Sequence, residues 1–134
     1  MIYALDTNII SYVLNGNADL AEKLNAVTQS ESKVIIPLMV YYEVRRGLLA
    51  NGATAKTRLF DNLCTRLGIH NLTKADMNTA AAIYADRKRK GAPIDDSDLL
   101  IAAQCSANGY TLVTHNTKHF EGIGGLTIVD WYNK

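Results

Sequence analysis

Cysteine is scarce in this chain, with only Cys64 and Cys105 among its 134 residues. Both lie in apolar, helical contexts, so we expect two buried free thiols in a reducing compartment rather than a disulfide. Neither belongs to a Cys/His cluster with the spacing of a zinc site.

Apolar runs of roughly 18 residues are absent, which excludes a predicted membrane span. The N-terminus also lacks a basic segment followed by an apolar one, so no secretory signal is predicted and we expect a cytoplasmic protein.

Strong net charge is also missing. The formal net charge of +1 gives no overall field that would draw the chain to nucleic acid, so any such contact requires local basic patches. A glycine-rich phosphate loop is absent as well, because Gly122, Gly124 and Gly125 precede a predicted strand rather than a helix. No internal repeat and no linker divide the chain. Residues 1–134 are therefore predicted to form a single domain.

Short β-rich runs alternate with helical patterns along the chain. Strands are predicted at 2–5, 33–37, 68–72, 110–114 and 126–129. Helices are predicted at 9–14, 18–29, 38–50 and 54–67, from the cap Thr73 to Gly91, and from the cap Asp95 or Asp96 to Asn108-Gly109. This alternation indicates an α/β fold in which helices cover both faces of a parallel sheet.

Polar side chains stand at several element ends that this topology brings to one edge of the sheet. Asp6 follows the first strand, and Glu43 lies in the second turn of the helix that leaves the second strand. Asp98 lies in the first turn of a helix that runs antiparallel to the fourth strand, and Asn116 follows that strand. All four are therefore predicted at the carboxyl edge, where open α/β sheets bind ligands. If the chain winds outward from strand one and then returns to its other side, the crevice lies between strands one and four.

Carboxylates gathered at one edge repel one another unless a cation joins them. Carboxylate and amide oxygens suit Mg²⁺ or Mn²⁺, and such an ion lowers the pKa of a bound water and polarises a phosphoryl oxygen. The residues therefore favour metal-assisted hydrolysis of a phosphodiester. Each also has a simpler interpretation: Asp6 as a helix cap, Glu43 as an exposed helix acid and Asn116 as a turn residue.

The charged residues at two helix ends also have both a structural and a functional interpretation. One or two of Asp95, Asp96 and Asp98 can serve only the N-terminus of their helix. A basic run ends the preceding helix and consists of Arg87, Lys88, Arg89 and Lys90. It is interpreted either as a solvated helix end that complements the macrodipole or as a phosphate track that binds RNA beside the cleft.

Four segments, in this order and spacing, resemble the PIN-domain ribonucleases, and most of all the VapC toxins of type II VapBC toxin–antitoxin systems. They are Leu-Asp-Thr-Asn-Ile at 5–9, Tyr-Tyr-Glu-Val-Arg-Arg-Gly at 41–47, Pro-Ile-Asp-Asp-Ser-Asp-Leu-Leu-Ile-Ala-Ala at 93–103 and Leu-Val-Thr-His-Asn-Thr-Lys-His-Phe at 112–120. The likeness covers nearly the whole chain. It implies a three-layer α/β/α domain with a short parallel sheet of four to five strands.

The resemblance also implies an endoribonuclease that depends on Mg²⁺ or Mn²⁺. The family's catalytic positions fall on Asp6, Glu43, Asp98 and Asn116, and the implied metal ligands are Asp6 and Asp98, with Glu43 and Asp96 as auxiliary ligands. Thr114 and Asn8 are implied to support the ligands. Because Asn116 is not an acid, we expect one tightly bound metal rather than two.

Partners follow from the same resemblance: a cognate VapB-like antitoxin, a homodimer and a structured RNA, tRNA or rRNA, whose cleavage inhibits translation. The antitoxin is expected to cover the helix pair 38–67 and enter the cleft. Apolar residues that either serve this interface or belong to the core are Tyr41, Tyr42, Leu48, Leu49, Leu59, Phe60 and Leu63.

Two other functions stay open on the sequence. A PIN-like module that binds RNA or a protein with little or no cleavage is compatible with the amide at Asn116. A phosphatase that uses Asp6 as a covalent nucleophile is compatible with the strand-Asp-turn arrangement, although the usual pattern has a second Asp where Asn8 stands.

Overall fold

The structure, a computed structural model, describes residues 1–132, so the last two residues of the predicted domain lie outside it. Strands and helices alternate from the N-terminus, as predicted. The strands are β1 (Ile2–Leu5), β2 (Lys33–Pro37), β3 (Ile69–His70), β4 (Thr111–Val113) and β5 (Thr127–Val129). The helices are α1 (Thr7–Leu14), α2 (Ala18–Thr28), α3 (Leu38–Ala50), α4 (Thr54–Leu67), α5 (Lys74–Arg89) and α6 (Asp96–Asn108), with a 3₁₀ turn at Thr117–His119.

The sheet is parallel throughout, with the strand order β3-β2-β1-β4-β5. β1 therefore lies at the centre, and the chain winds outward through β2 and β3 before it returns to the other side of β1. Leu5 is in register with Val113 of β4, and the backbone amide of Asp6 donates to the Val113 carbonyl at 2.9 Å. The predicted α/β fold, the parallel sheet and the switch point between β1 and β4 are confirmed.

Local sequence explains where α5 and α6 begin and end. Thr73 and Asp76 form a reciprocal capping box at the start of α5, with N···O distances of 3.0 and 3.1 Å. α6 ends at Gly109, whose φ of 70° lies in the left-handed region that favours glycine. Asp95 occupies the N-cap position of α6, but its side chain makes no capping hydrogen bond. The predicted N-cap position is therefore confirmed at Asp95, without a side-chain capping bond, and the residue also lines the adjacent cleft.

The core lies on both faces of the central strands. Ala4, Leu5, Ile36, Leu112 and Val113 are fully buried, as β-branched and aliphatic side chains of a covered parallel sheet should be. Helices α5 and α6 pack closely against each other on one side, and α3 and α4 pack on the other side with the buried residues Val40, Val44, Phe60 and Leu63.

Both cysteines are free thiols, as predicted, although only Cys105 is fully buried and Cys64 is half-buried. Burial raises the pKa of the Cys105 thiol to about 12, so it packs as an inert apolar group. Among the described helices, none combines the length and the apolar character of a membrane span.

The apolar residues of the helix pair α3–α4 divide into two groups. Leu48, Phe60 and Leu63 are buried and belong to the core, and the half-buried Tyr41 packs against them by stacking on Phe60. Tyr42, Leu49 and Leu59 are 52%, 66% and 53% exposed. The core interpretation is therefore correct for the first group only, and the second group leaves an apolar surface on this pair of helices.

Candidate active site

A cleft of about 540 Å³ opens at the carboxyl edge of the sheet, beside the ends of β1 and β4 and the starts of α1, α3 and α6. It contains all four side chains that the sequence placed at this edge, together with Asn8 and Asp96. The residues that line it are Asp6, Thr7, Asn8, Glu43, Arg46, Asp95, Asp96, Ser97, Asp98, Asn116 and His119. Thr114 is fully buried beneath the cleft.

Asp6 is held at the bottom of the cleft, with 5% of its surface exposed. Its Oδ1 accepts a hydrogen bond from the Thr7 amide at 2.8 Å, and its Oδ2 accepts one from Thr114 Oγ1 at 2.7 Å and a weaker one from Asn8 Nδ2 at 3.4 Å. Asp6 is also the N-cap of α1. The capping and site interpretations of Asp6 are thus compatible, because the cap bond fixes the orientation of a carboxylate that also reaches the cleft.

The environment raises the pKa of Asp6 from 3.8 to about 6. Burial is the main cause, since it disfavours the charged form, and the nearby charges of Asp98 and Glu43 add to it. The hydrogen bonds from Thr114 and Thr7 act in the opposite direction. Asp98 and Glu43 are therefore each close enough to Asp6 to disfavour its negative charge, which is a condition that a bound cation relieves.

Thr114 and Asn8 connect the start of α1 to the loop after β4. Thr114 Oγ1 donates to Asp6 and accepts from the Asn116 amide at 3.0 Å. Asn8 Oδ1 accepts from the His115 amide at 3.2 Å. These contacts hold Asn116 near Asp6. They agree with the predicted role of Thr114 and Asn8 as residues that position the acidic ligands.

Glu43 is not the freely exposed helix acid of the simpler interpretation, because its side chain is only 17% exposed. Its Oε1 accepts from Thr7 Oγ1 at 2.7 Å, and its Oε2 lies 3.8 Å from Arg46 Nη2. Neither Thr7 nor Arg46 is among the site residues predicted from the sequence. A signal for Arg46 was available, since it follows Glu43 by three residues and so shares its helix face.

Asp98 faces a histidine across the cleft. Its Oδ2 lies 3.1 Å from Nδ1 of His119, whose side chain is 56% exposed. His119 comes from the 3₁₀ turn after β4, so its approach to Asp98 depends on the path of that loop. His119 is not among the site residues predicted from the sequence.

The donor set fits a hard divalent cation by its chemistry. Carboxylates and one amide line the cleft, and one of the carboxylates is buried with a pKa raised partly by its acidic neighbours. Within residues 1–132, no three Asp, Glu, His or Cys side chains are close enough to share an ion in the present conformation. Thr7 binds Glu43 through Oε1 and His119 binds Asp98 through Oδ2, so the second oxygen of each carboxylate accepts no hydrogen bond from the described residues.

The basic run does not act as one unit. Arg89 and Lys90 pair with Asp86 of their own helix at 3.5 and 3.0 Å, and Lys88 is exposed. Arg87 Nη1 donates to the Glu121 carbonyl at 2.8 Å. Of the four residues, only Arg87 lines the depression of about 280 Å³ that adjoins the cleft and shares Asp95, Asp98 and His119 with it.

The comparisons with known proteins agree with this architecture. The family model for the PIN domain matches residues 3–126. The chain is 32% identical to the tRNA(fMet)-specific endonuclease VapC of Salmonella typhimurium, over 96% of this chain and 97% of that protein. It is 29% identical to ribonuclease VapC2 of Rickettsia felis, over 98% of each chain. The crystal structure of VapBC2 from Rickettsia felis, bound to a DNA fragment from its promoter, superposes with a TM-score of 0.91 at 28% identity and covers 98% of this chain and 99% of that one.

Proposed function

The chain belongs to the PIN-domain family, among its VapC ribonucleases, and from that premise we propose that it is a metal-dependent endoribonuclease whose active site is the cleft around Asp6. The observation that carries the proposal is the meeting of Asp6, Glu43 and Asp98 in one cleft, where burial and, to a smaller extent, the two other acids raise the pKa of Asp6. Residues 1–134 act as one PIN domain in this proposal.

Asp6 and Asp98 are the proposed metal ligands, with Glu43 and Asp96 as auxiliary ligands. A Mg²⁺ or Mn²⁺ ion held there would supply an activated water and stabilise negative charge on the phosphate. Asp6 suits this role because the Thr7 amide and the Thr114 hydroxyl fix its carboxylate. Asn116 contributes a neutral amide, which binds a cation more weakly than a carboxylate does, so one tight metal site is proposed.

Glu43 also has a second role in this proposal, beside that of an auxiliary ligand. The Thr7 hydroxyl orients one of its oxygens and Arg46 lies beside the other, so the side chain is held in place at the wall of the cleft. A carboxylate positioned in this way can accept the proton of an attacking water as the phosphodiester is cleaved.

The proposed substrate is a structured cellular RNA, tRNA or rRNA, whose cleavage inhibits translation in the cytoplasm. Support comes from the relatives, because the Salmonella typhimurium and Shigella flexneri proteins are tRNA(fMet)-specific endonucleases. Initiator tRNA is therefore the first substrate to test.

We also propose that the chain is the toxin of a toxin–antitoxin pair, forms a homodimer and is bound by a VapB-like antitoxin. Structural neighbours that support this are VapBC complexes. The chain itself offers Tyr42, Leu49 and Leu59 as exposed apolar residues on α3 and α4. A groove of about 260 Å³ between α1, α3 and α4 adjoins the active site, because Thr7 and Glu43 line both. An antitoxin segment with apolar side chains would fit the surface formed by Tyr42, Leu49 and Leu59.

The test is cleavage of initiator tRNA by the purified protein with Mg²⁺, with Mn²⁺ and with excess chelator. Wild type should cut the RNA at discrete positions only when the metal is present, and Asp6→Asn and Asp98→Asn should each lose at least about a hundredfold in rate. Asp19→Asn, an exposed acid on α2, is the matched control and should keep full activity. Undiminished cleavage by both site variants, or equal cleavage in chelator, would overturn the proposed mechanism.

A further inference from the structure

The cleft presents a difficulty to an anionic substrate. Five carboxyl groups line it, from Asp6, Glu43, Asp95, Asp96 and Asp98, whereas Arg46 is the only lysine or arginine among its described lining residues. An RNA strand that enters such a cleft needs cationic groups for the phosphates next to the one being cut, because a metal at the centre does not neutralise its neighbours. The position of the nearest cations therefore bears on the path of the RNA.

Arg46 lies on the α3 side of the cleft. Its guanidinium carbon is 5.1 Å from the centroid of the Tyr42 ring, which holds the guanidinium by a cation–π contact. The contact with Glu43 Oε2, at 3.8 Å, is an ion pair longer than a hydrogen bond. The side chain is 56% exposed, and no hydrogen bond to its guanidinium occurs within residues 1–132, so its N–H donors are available for a phosphate.

Arg87 and Lys118 lie on the other side. Both line the depression that continues the cleft past Asp98 and His119. Arg87 is anchored by the bond from its Nη1 to the Glu121 carbonyl, while its Nε is buried and has no partner among the described residues. Lys118 is exposed on the 3₁₀ turn. An anchored arginine and an exposed lysine thus border one end of the acidic groove.

The sheet topology puts Arg46 on one side of Asp6 and Lys118, which lines the same depression as Arg87, on the other side. Arg46 belongs to the helix that follows β2, and Lys118 belongs to the turn that follows β4. Since β2 and β4 flank β1 in the sheet, the carboxylate of Asp6 lies between them. We propose that the RNA strand crosses the cleft from Arg46 to Arg87, with the phosphates before and after the scissile one held by these two arginines.

This inference rests on the proposed ribonuclease function and narrows the sequence-based prediction for the basic run. Arg87, assisted by Lys118, contacts the RNA, whereas Arg89 and Lys90 do not, because neither lines the cleft or the depression beside it and both lie next to Asp86 of their own helix. Arg46, which lies outside that run, supplies the other contact.

The experiment measures binding of a fluorescent oligouridine of roughly twelve nucleotides to the full chain in the non-cleaving Asp6→Asn background, across a salt series with Mg²⁺ held constant. Removal of one arginine–phosphate ion pair should lower the slope of log K against log salt by about 0.7 for a single strand. Arg46→Ala and Arg87→Ala should each produce this decrease, and the double variant should produce about twice it, because the two arginines bind different phosphates.

Matched controls are Arg89→Ala at the same helix end and Arg58→Ala, an exposed residue of α4, and both should keep the parental slope. Arg46→Lys and Arg87→Lys should keep the slope while they weaken binding, since lysine retains the charge without the planar fork. Thermal unfolding identifies any variant that does not fold, and Lys118→Ala then replaces Arg87→Ala as the test of that side.

Unchanged slopes in the Arg46 and Arg87 variants, or an equal decrease in the Arg89 control, would overturn the inference. A double variant whose slope matches that of either single variant would do so too, because both arginines would then bind the same phosphate. Binding and cleavage separate the two proposals: a wild type that cuts no RNA but shows the expected slopes contradicts the ribonuclease function alone. A wild type that cuts RNA while these slopes stay unchanged contradicts only the path.

Discussion

Thr7 Oγ1 donates a hydrogen bond of 2.7 Å to Glu43 Oε1, which joins the first residue of α1 to the second turn of α3. The backbone amide of the same threonine binds Asp6. One residue therefore sets the positions of two acids that are 37 residues apart in sequence. Neither link is visible in the sequence motif, where Thr7 is simply the residue after Asp6.

Replacement of Thr7 by valine should separate these two effects. The backbone bond to Asp6 stays, whereas the bond to Glu43 disappears, so we expect kcat for RNA cleavage to fall about fivefold with KM nearly unchanged, as removal of a net hydrogen bond of about 1 kcal/mol implies. Thr7→Ser restores the hydroxyl and serves as the control. Equal kcat in the valine and serine variants would show that Glu43 does not need this hydrogen bond.

The raised pKa of Asp6 predicts a pH-dependent stability in the metal-free protein. The pKa of Asp6 is about 6 in the folded state against an ordinary value of 3.8. Between these values the folded chain binds more protons than the unfolded chain, so the Asp6 contribution to the free energy of unfolding falls as the pH rises from about 4 to about 6. The total is about 3 kcal/mol at most, at about 1.4 kcal/mol per pKa unit.

Urea unfolding with a chelator, for wild type and Asp6→Asn, measures this contribution as the difference between the two proteins. Asparagine should become relatively more stabilising as the pH rises and level off above about pH 6. Thr114→Val should raise the pKa of Asp6 further, because the Thr114 hydroxyl bond lowers it. A wild-type-to-variant difference that does not change with pH would contradict the pKa shift.

The neutral amide of Asn116 leads us to predict how many metal ions each chain binds. With a neutral amide at this position, calorimetric titration with Mn²⁺ should find one tight site per chain. Asn116→Asp adds a hard charged ligand beside Thr114, so we expect roughly tenfold tighter binding or a second bound ion. The control is Asn15→Asp, an exposed position outside the active-site cleft, which should leave the titration unchanged. Two tight ions in wild type would show that the amide suffices.

The exposed leucines of α3 and α4 should tolerate substitution without loss of the fold, so their part in antitoxin binding can be tested directly. Leu59 is 53% exposed, so Leu59→Asp should alter the free energy of unfolding by no more than about 0.5 kcal/mol. Binding of a co-expressed VapB-like antitoxin, followed by size-exclusion chromatography and calorimetry, should weaken at least about tenfold. Met77→Asp on α5, 48% exposed, is the matched control, and an equal decrease there would indicate a general rather than a local effect.

Most of the fold was predictable because its determinants are local. The bounds of β1, β2, α3 and α4 follow from apolar periodicity and turn residues, and the structure reproduces them as predicted. The start of α1 was placed two residues late, because Thr7 and Asn8 read as loop residues until the Asp6 cap is known. β3 is shorter than predicted because only Ile69 and His70 pair with β2.

The site was predictable at the level of position but not of side-chain pairing. That Asp6, Glu43, Asp98 and Asn116 meet at one edge follows from strand order and helix direction, which the alternation of elements determines. That Thr7 binds Glu43 and His119 approaches Asp98 depends on side-chain rotamers and on the loop after β4, which no local pattern encodes.

The sequence by itself determined the order of strands and helices, the chemistry of the cleft and the family, because these depend on residue type and spacing. Only the tertiary structure decided which charges are free to act. The pairs of Asp86 with Arg89 and Lys90, and of Tyr42 with Arg46, have the helical spacing of three or four residues that a sequence shows. The contact of Arg87 with the Glu121 carbonyl joins residues 34 positions apart, and the depression that brings Arg87 and Lys118 beside Asp98 and His119 joins two helices and a loop. Such contacts depend on distances between groups that only the folded chain brings together.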